Sequence, residues 1–86
     1  MKTLTIKKKV DLLISSAEEL LPAENIANAR EFLKHNEWGE AYDLICTQLF
    51  EFSIPISQAL YLSISEIGQA MMLPESEWTY LETLIS

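Results

Sequence analysis

The stretch "NEWGEAYDLICTQLFEFSIPIS", Asn36 to Ser57, decides how this chain is read. Within it Trp38, Ala41, Tyr42, Ile45, Leu49 and Phe52 recur at three- and four-residue steps and share one helical arc about 100° wide. A half-buried strand would alternate every second residue, and this run does not. The run is therefore a helix with one core-facing side. Asn36 is its expected N-cap, Glu37 complements the positive end of its dipole, and it extends to about Phe52. Pro55 then removes a backbone donor and disfavours helical geometry at Ile54, so the next helix has to restart, with Ser57 as its cap.

The same period continues on both sides. Ile6, Val10, Leu13, Ile14, Ala17 and Leu21 predict a first helix from about Thr5 to Leu20. Pro22 opens a second, whose apolar face is Ile26, Ala29, Phe32 and Leu33 and whose exit is His35 and Asn36. After Ser57 come Leu60, Ile64, Ile67 and Met71, with Gly68 beside the stripe where it permits close packing. A fifth helix follows the "MLPESEW" opening and presents Trp78, Leu81, Leu84 and Ile85. No segment alternates with period two, so the expected fold is all-α, a compact bundle of about five short helices in one domain spanning residues 1–86.

The chain has 86 residues, 49% of them hydrophobic and 22% charged, which is the balance of a globular protein rather than a disordered tail. A lone cysteine, Cys46, has no partner for an internal disulfide, and no run has the layout of a secretion signal, so a cytoplasmic location is expected. No apolar run approaches the ~20 residues of a membrane-spanning helix. Net charge is −7, and its distribution is lopsided. All six cations (Lys2, Lys7, Lys8, Lys9, Arg30, Lys34) lie in residues 1–34, whereas residues 35–86 carry eight acidic side chains and no lysine or arginine. Such a surface repels nucleic acid and anionic lipid and attracts a basic macromolecule.

Catalytic signatures are missing. There is one His, His35, at a helix exit, and Cys46 lies at the edge of an apolar arc. Zinc needs three or four ligands at tight spacing, and no glycine-rich phosphate loop or supported Ser-His-Asp set is present. The expectation is no enzyme, no cofactor and no metal. Lys7, Lys8 and Lys9 read as a solvated helix face, and Trp38 and Trp78 as core residues on apolar stripes.

The acidic residues of the opening stretch are the remaining feature with functional content. Glu37, Glu40, Asp43, Thr47 and Glu51 fall opposite the apolar arc, gathering like charge without intrahelical cations. Each i,i+3 pair of carboxylates costs a few tenths of a kcal/mol, which a surface tuned only for stability avoids by interspersing lysines. Leu44 and Phe50 project beside this face, either against another helix or as exposed anchors. Glu37, Glu40, Asp43, Thr47, Phe50 and Glu51 are thus the candidate binding residues. A second candidate surface lies on the fourth and fifth helices around Leu62, Glu66, Glu75 and Glu77.

The run "FLKHNEWGEAYDLICTQLFEFSIPIS", Phe32 to Ser57, is followed by a helix ending in "AMML" and then by Trp78, Leu81 and Leu84. It resembles small helical immunity proteins of bacterial toxin systems, most of all the MafI-like group found with Maf polymorphic toxins and contact-dependent growth-inhibition systems. The similarity spans about Ile26 to Leu84 and is best over Glu37-Trp38-Gly39-Glu40-Ala41 leading into Leu44 and Leu49. It implies a cytosolic antitoxin that binds and blocks a nuclease toxin domain, with EndoU-type ribonucleases a commonly associated class. The expected partner is then a cognate basic toxin nuclease domain in a 1:1 complex, with no nucleic acid and no membrane. The competing expectation is a small acidic helical carrier or adaptor, against which stands the lack of the Asp-Ser-Leu attachment motif of acyl carrier proteins.

Overall fold

Thr5 is the first residue described. Its hydroxyl accepts from the Lys8 amide at 3.1 Å and caps α1, Ile6–Ala17, whose buried side is Val10, Leu13, Ile14 and Ala17. The computed structural model describes residues 5–86, so Lys2 lies outside the described residues. Pro22 precedes α2, Ala23–Lys34, and α3 is Trp38–Glu51. Ser57 caps α4, Gln58–Ala70, accepting from the Leu60 amide at 3.0 Å as its position in the sequence predicts. The chain closes with two 3-10 helices, η1 at Glu75–Glu77 and η2 at Thr79–Leu84. The protein is a small all-α bundle, and its buried side chains form one contiguous core.

Helices α2 and α3 form the most extensive pair, α1 touches α2, α3 and α4, and the 3-10 segments lie against α3 and α4. Arg30 ties α2 to α1 through Asp11 and Glu18, both at 2.9 Å; these hydrogen bonds, with Glu18 contributing most, hold its guanidinium above its ordinary pKa despite partial burial. Tyr42 ties α3 to α4, its buried hydroxyl donating to the Ile64 carbonyl at 2.9 Å. That bond satisfies the one polar atom of a side chain otherwise surrounded by core.

Three helices stop in the same way. Asn36, Ser53 and Met72 have φ of 61°, 51° and 60°, the left-handed region that glycine usually fills. After α2, the Asn36 amide donates to the Leu33 carbonyl and the Glu37 amide to that of Phe32, both at 2.9 Å. The pairs Ser53 to Phe50 and Ile54 to Leu49 repeat the pattern after α3, and Met72 to Gln69 and Leu73 to Gly68 repeat it after α4. This paired 5→2 and 6→1 bonding is the Schellman closure, which satisfies the last carbonyls of each helix. It also corrects the expectation for Asn36. Asn36 terminates α2 instead of capping α3, and Glu37 takes the N-cap position with no side-chain cap bond.

The core departs from the wheel at its edges. Ala41, Tyr42, Ile45 and Leu49 are buried as expected, and Cys46 joins them. Trp38 is half-buried against the core, and Phe52 is 51% exposed. Phe52 is the residue where α3 ends, so the helical register no longer directs its side chain inward. In α4, Tyr61 is buried while Leu60 and Met71 are only partly so. The first helix stops at Ala17 rather than Leu20, the chain turning there with the Leu20 and Leu21 amides both bonded to the Ala17 carbonyl.

The fifth element is 3-10 in geometry, and it is pinned at both ends. Trp78, 5% exposed, seats over Gly68, where any side chain would collide with the indole ring. At the other end Ile56 and Ile85 form a parallel bridge. There the Ile56 amide donates to the Leu84 carbonyl at 2.9 Å, and the Ser86 amide donates to the Ile56 carbonyl at 3.1 Å. Leu81, fully buried, fills the space between.

Candidate protein-interaction face

Helix α3 packs against α1, α2 and η2 and leaves a stripe open to solvent. Glu37, Glu40, Asp43 and Glu51 are all exposed on it. The ion pairs among the described residues use Asp11, Glu18 and Glu31, so no described cation lies within salt-bridge distance of the four. Their charge is therefore presented to solvent.

Thr47 and Phe50 sit where the stripe meets η2. Thr47 is half-buried beside Tyr80, and the Phe50 ring meets the Tyr80 ring edge to face, centroids 5.1 Å apart at 83°. Phe50 nonetheless keeps 47% of its surface exposed, so it is neither a core residue nor an isolated one. Edge-to-face pairs contribute about 0.5 to 1.5 kcal/mol beyond area burial, which fixes this ring's orientation at the rim. Leu44 packs against the core and is half-buried. Beyond Phe50 a shallow depression of about 560 Å³ runs between Ser53, Pro55, Thr83 and Ile85.

The tertiary structure adds two residues that α3 alone does not supply. Glu77 of η1 comes over to Glu40 and Asp43, and the three carboxylates border a cleft of about 310 Å³ with Gly39, Tyr42 and Leu73. A side chain at Gly39 would meet nothing within 4 Å, so the glycine leaves that side of the cleft open. Tyr80 is the second. Burial, reinforced by the neighbouring Cys46, Asp43 and Glu77, pushes its phenol up to about 12, so it stays a neutral hydrogen-bonding group beside the carboxylates. The acid-rich "PESEW" run pointed to Glu77, but nothing in the sequence places it against α3.

The other singled-out residues are positioned elsewhere. The His35 ring lies 3.0 Å from the Glu31 carbonyl, within its own helix end, and Cys46 is buried with its thiol pushed up to about 12 by burial. Glu75 is on η1, while Leu62 and Glu66 are exposed on α4. No group of three or more His, Cys, Asp or Glu among the described residues is arranged to hold a metal ion, and no described helix is long and apolar enough to cross a membrane. What the stripe offers chemically is recognition: fixed negative charge, an aromatic rim and an open cleft. No family model matches this chain, and neither does any curated protein or solved structure.

Proposed function

We propose that this protein is an immunity protein that binds the basic nuclease domain of a cognate bacterial toxin, one to one, and blocks it through the acidic face of α3. The observation that carries the reading is the exposure of Glu37, Glu40, Asp43 and Glu51 on one stripe with no described cation paired to them. Gathering like charges costs the free protein a few tenths of a kcal/mol per close pair, a cost that a cationic partner reverses. A ribonuclease collects lysine and arginine to hold phosphate, so the stripe competes for the same cleft and steers the encounter. Phe50 supplies the apolar anchor at its rim. The resemblance to the MafI-like group supports the toxin class, an EndoU-type ribonuclease, and a cytoplasmic site of action.

The test mixes the purified protein with a candidate EndoU-type nuclease domain and follows ribonuclease activity, complex mass and the salt dependence of binding. Activity is expected to vanish at equimolar protein, and the paired reversals Glu40→Lys and Asp43→Lys are expected to slow association and flatten the salt dependence while the fold persists. Inhibition that scales with RNA rather than enzyme, or that survives the reversals with its salt dependence intact, contradicts occlusion by this face.

A further inference from the structure

The cations are as unevenly placed as the acids. Of the five described, Lys7, Lys8, Lys9, Arg30 and Lys34, all but Lys9 line one groove of about 500 Å³ between α1 and α2. Leu33 lies at its floor as part of the core, only 6% exposed. Thus a chain of net charge −7 keeps nearly all its described positive charge on one trough.

The four cations are not equivalent. Arg30 is engaged: its guanidinium bonds Asp11 and Glu18 at 2.9 Å and the Ser15 hydroxyl at 3.2 Å. The Lys7 ammonium donates to the Asn36 side chain at 3.0 Å. Lys8 and Lys34 bind no acceptor among the described residues. We infer that this groove docks an acidic peptide segment of a partner protein, with Lys8 and Lys34 receiving its carboxylates.

The choice of a peptide over a phosphate group follows from which donors are already used. A phosphate site relies on backbone amides and a bidentate arginine. Here the Lys8 amide is taken by the Thr5 hydroxyl, and Arg30 is committed to its own carboxylates. Lysines on flexible stems remain, which act as point charges and suit carboxylates spaced along a chain. From Thr5 to Asp11 the groove follows roughly 9 Å of helix, the reach of about three extended residues.

The experiment is a nitrogen-15 NMR titration of the full chain with the peptide acetyl-Glu-Leu-Glu-Glu-amide, alongside its glutamine analogue, inorganic phosphate and a short oligouridylate. The acidic peptide is expected to move the amides of residues 5–11 and 30–34 and no others, and the glutamine analogue to leave them in place. Lys8→Glu with Lys34→Gln should weaken binding by up to about fivefold per lost ion pair. The fold is protected in that variant, because glutamate three residues after the Thr5 cap completes a capping box. Lys8→Gln with Lys34→Gln repeats the comparison without charge reversal. The inference is overturned if the acidic peptide moves no groove amide, if its binding survives both variants, if the glutamine analogue binds equally, or if phosphate or oligouridylate binds the same amides more tightly.

Discussion

Gly68→Ala adds one methyl group to the interior of α4, where intrinsic propensity alone would stabilise the protein by about 1 kcal/mol. The structure forecasts the opposite sign. The new methyl would overlap the Trp78 indole and lie 2.8 Å from the Tyr42 hydroxyl, so the ring has to leave its seat. Removing a buried tryptophan's packing costs about 3 to 5 kcal/mol, and subtracting the propensity gain leaves a net loss of about 2 to 4 kcal/mol. The loss is directional as well. Trp78 is the residue between η1 and η2, so its release unseats the segment that brings Glu77 and Tyr80 to the acidic stripe. Urea denaturation gives the energy, and tryptophan emission in a Trp38→Phe background reports whether Trp78 meets water. A double-mutant cycle isolates the cause: in a Trp78→Ala background the penalty should disappear and Gly68→Ala should become neutral or stabilising. A Gly68→Ala protein as stable as its parent would refute the reasoning, as would a penalty undiminished in that background.

Phe50→Ala removes the edge contact with Tyr80 and half-buried ring area, so folding stability should fall by about 1 kcal/mol while toxin binding falls by about 2 kcal/mol or more. Parallel denaturation and binding titrations compare the two, and a binding loss no larger than the folding loss counts against an anchor role. Met72→Gly relieves a left-handed residue that is 89% exposed, so it should raise the urea midpoint by the equivalent of about 0.5 to 1 kcal/mol. A lowered midpoint would mean that the Met72 side chain contributes packing. Burial pushes the Cys46 thiol and the Tyr80 phenol up to about 12, and raises Tyr42 too. The fold therefore retains protons that the unfolded chain releases from the ordinary values of 9.0 and 10.0 upward, so stability is full below pH 9.0 and declines from there toward 12. Denaturation midpoints measured across that window, with tyrosinate absorbance followed in parallel, check this; a flat midpoint contradicts it.

Much of the architecture was legible because it is local. The three- and four-residue steps of Val10 to Ala17 and Ala41 to Leu49 specify helices and their buried sides whatever lies beside them. Ser57 caps α4 because a serine hydroxyl reaches an amide three residues on. The exposure of Glu37, Glu40, Asp43 and Glu51 follows from the same wheel. Gly68 could be recognised as a point of close approach, but not what approaches.

The tertiary structure decided what depends on two segments meeting. Asparagine suits both an N-cap and a left-handed helix terminus, and only the bonds from residues 36 and 37 back to Leu33 and Phe32 assign Asn36 to the end of α2. The "ESEWTYLETL" run carries helical spacing, yet it becomes two 3-10 turns. Trp78 is drawn into the notch over Gly68 while Ile85 is held to Ile56, and a short segment tethered at both ends follows those anchors rather than its own propensity. Glu77 and Tyr80 reach the acidic stripe, and four cations reach one groove, by the same route. Side chains distant in sequence are brought together by packing, and a period read along one helix carries no information about the neighbour across it.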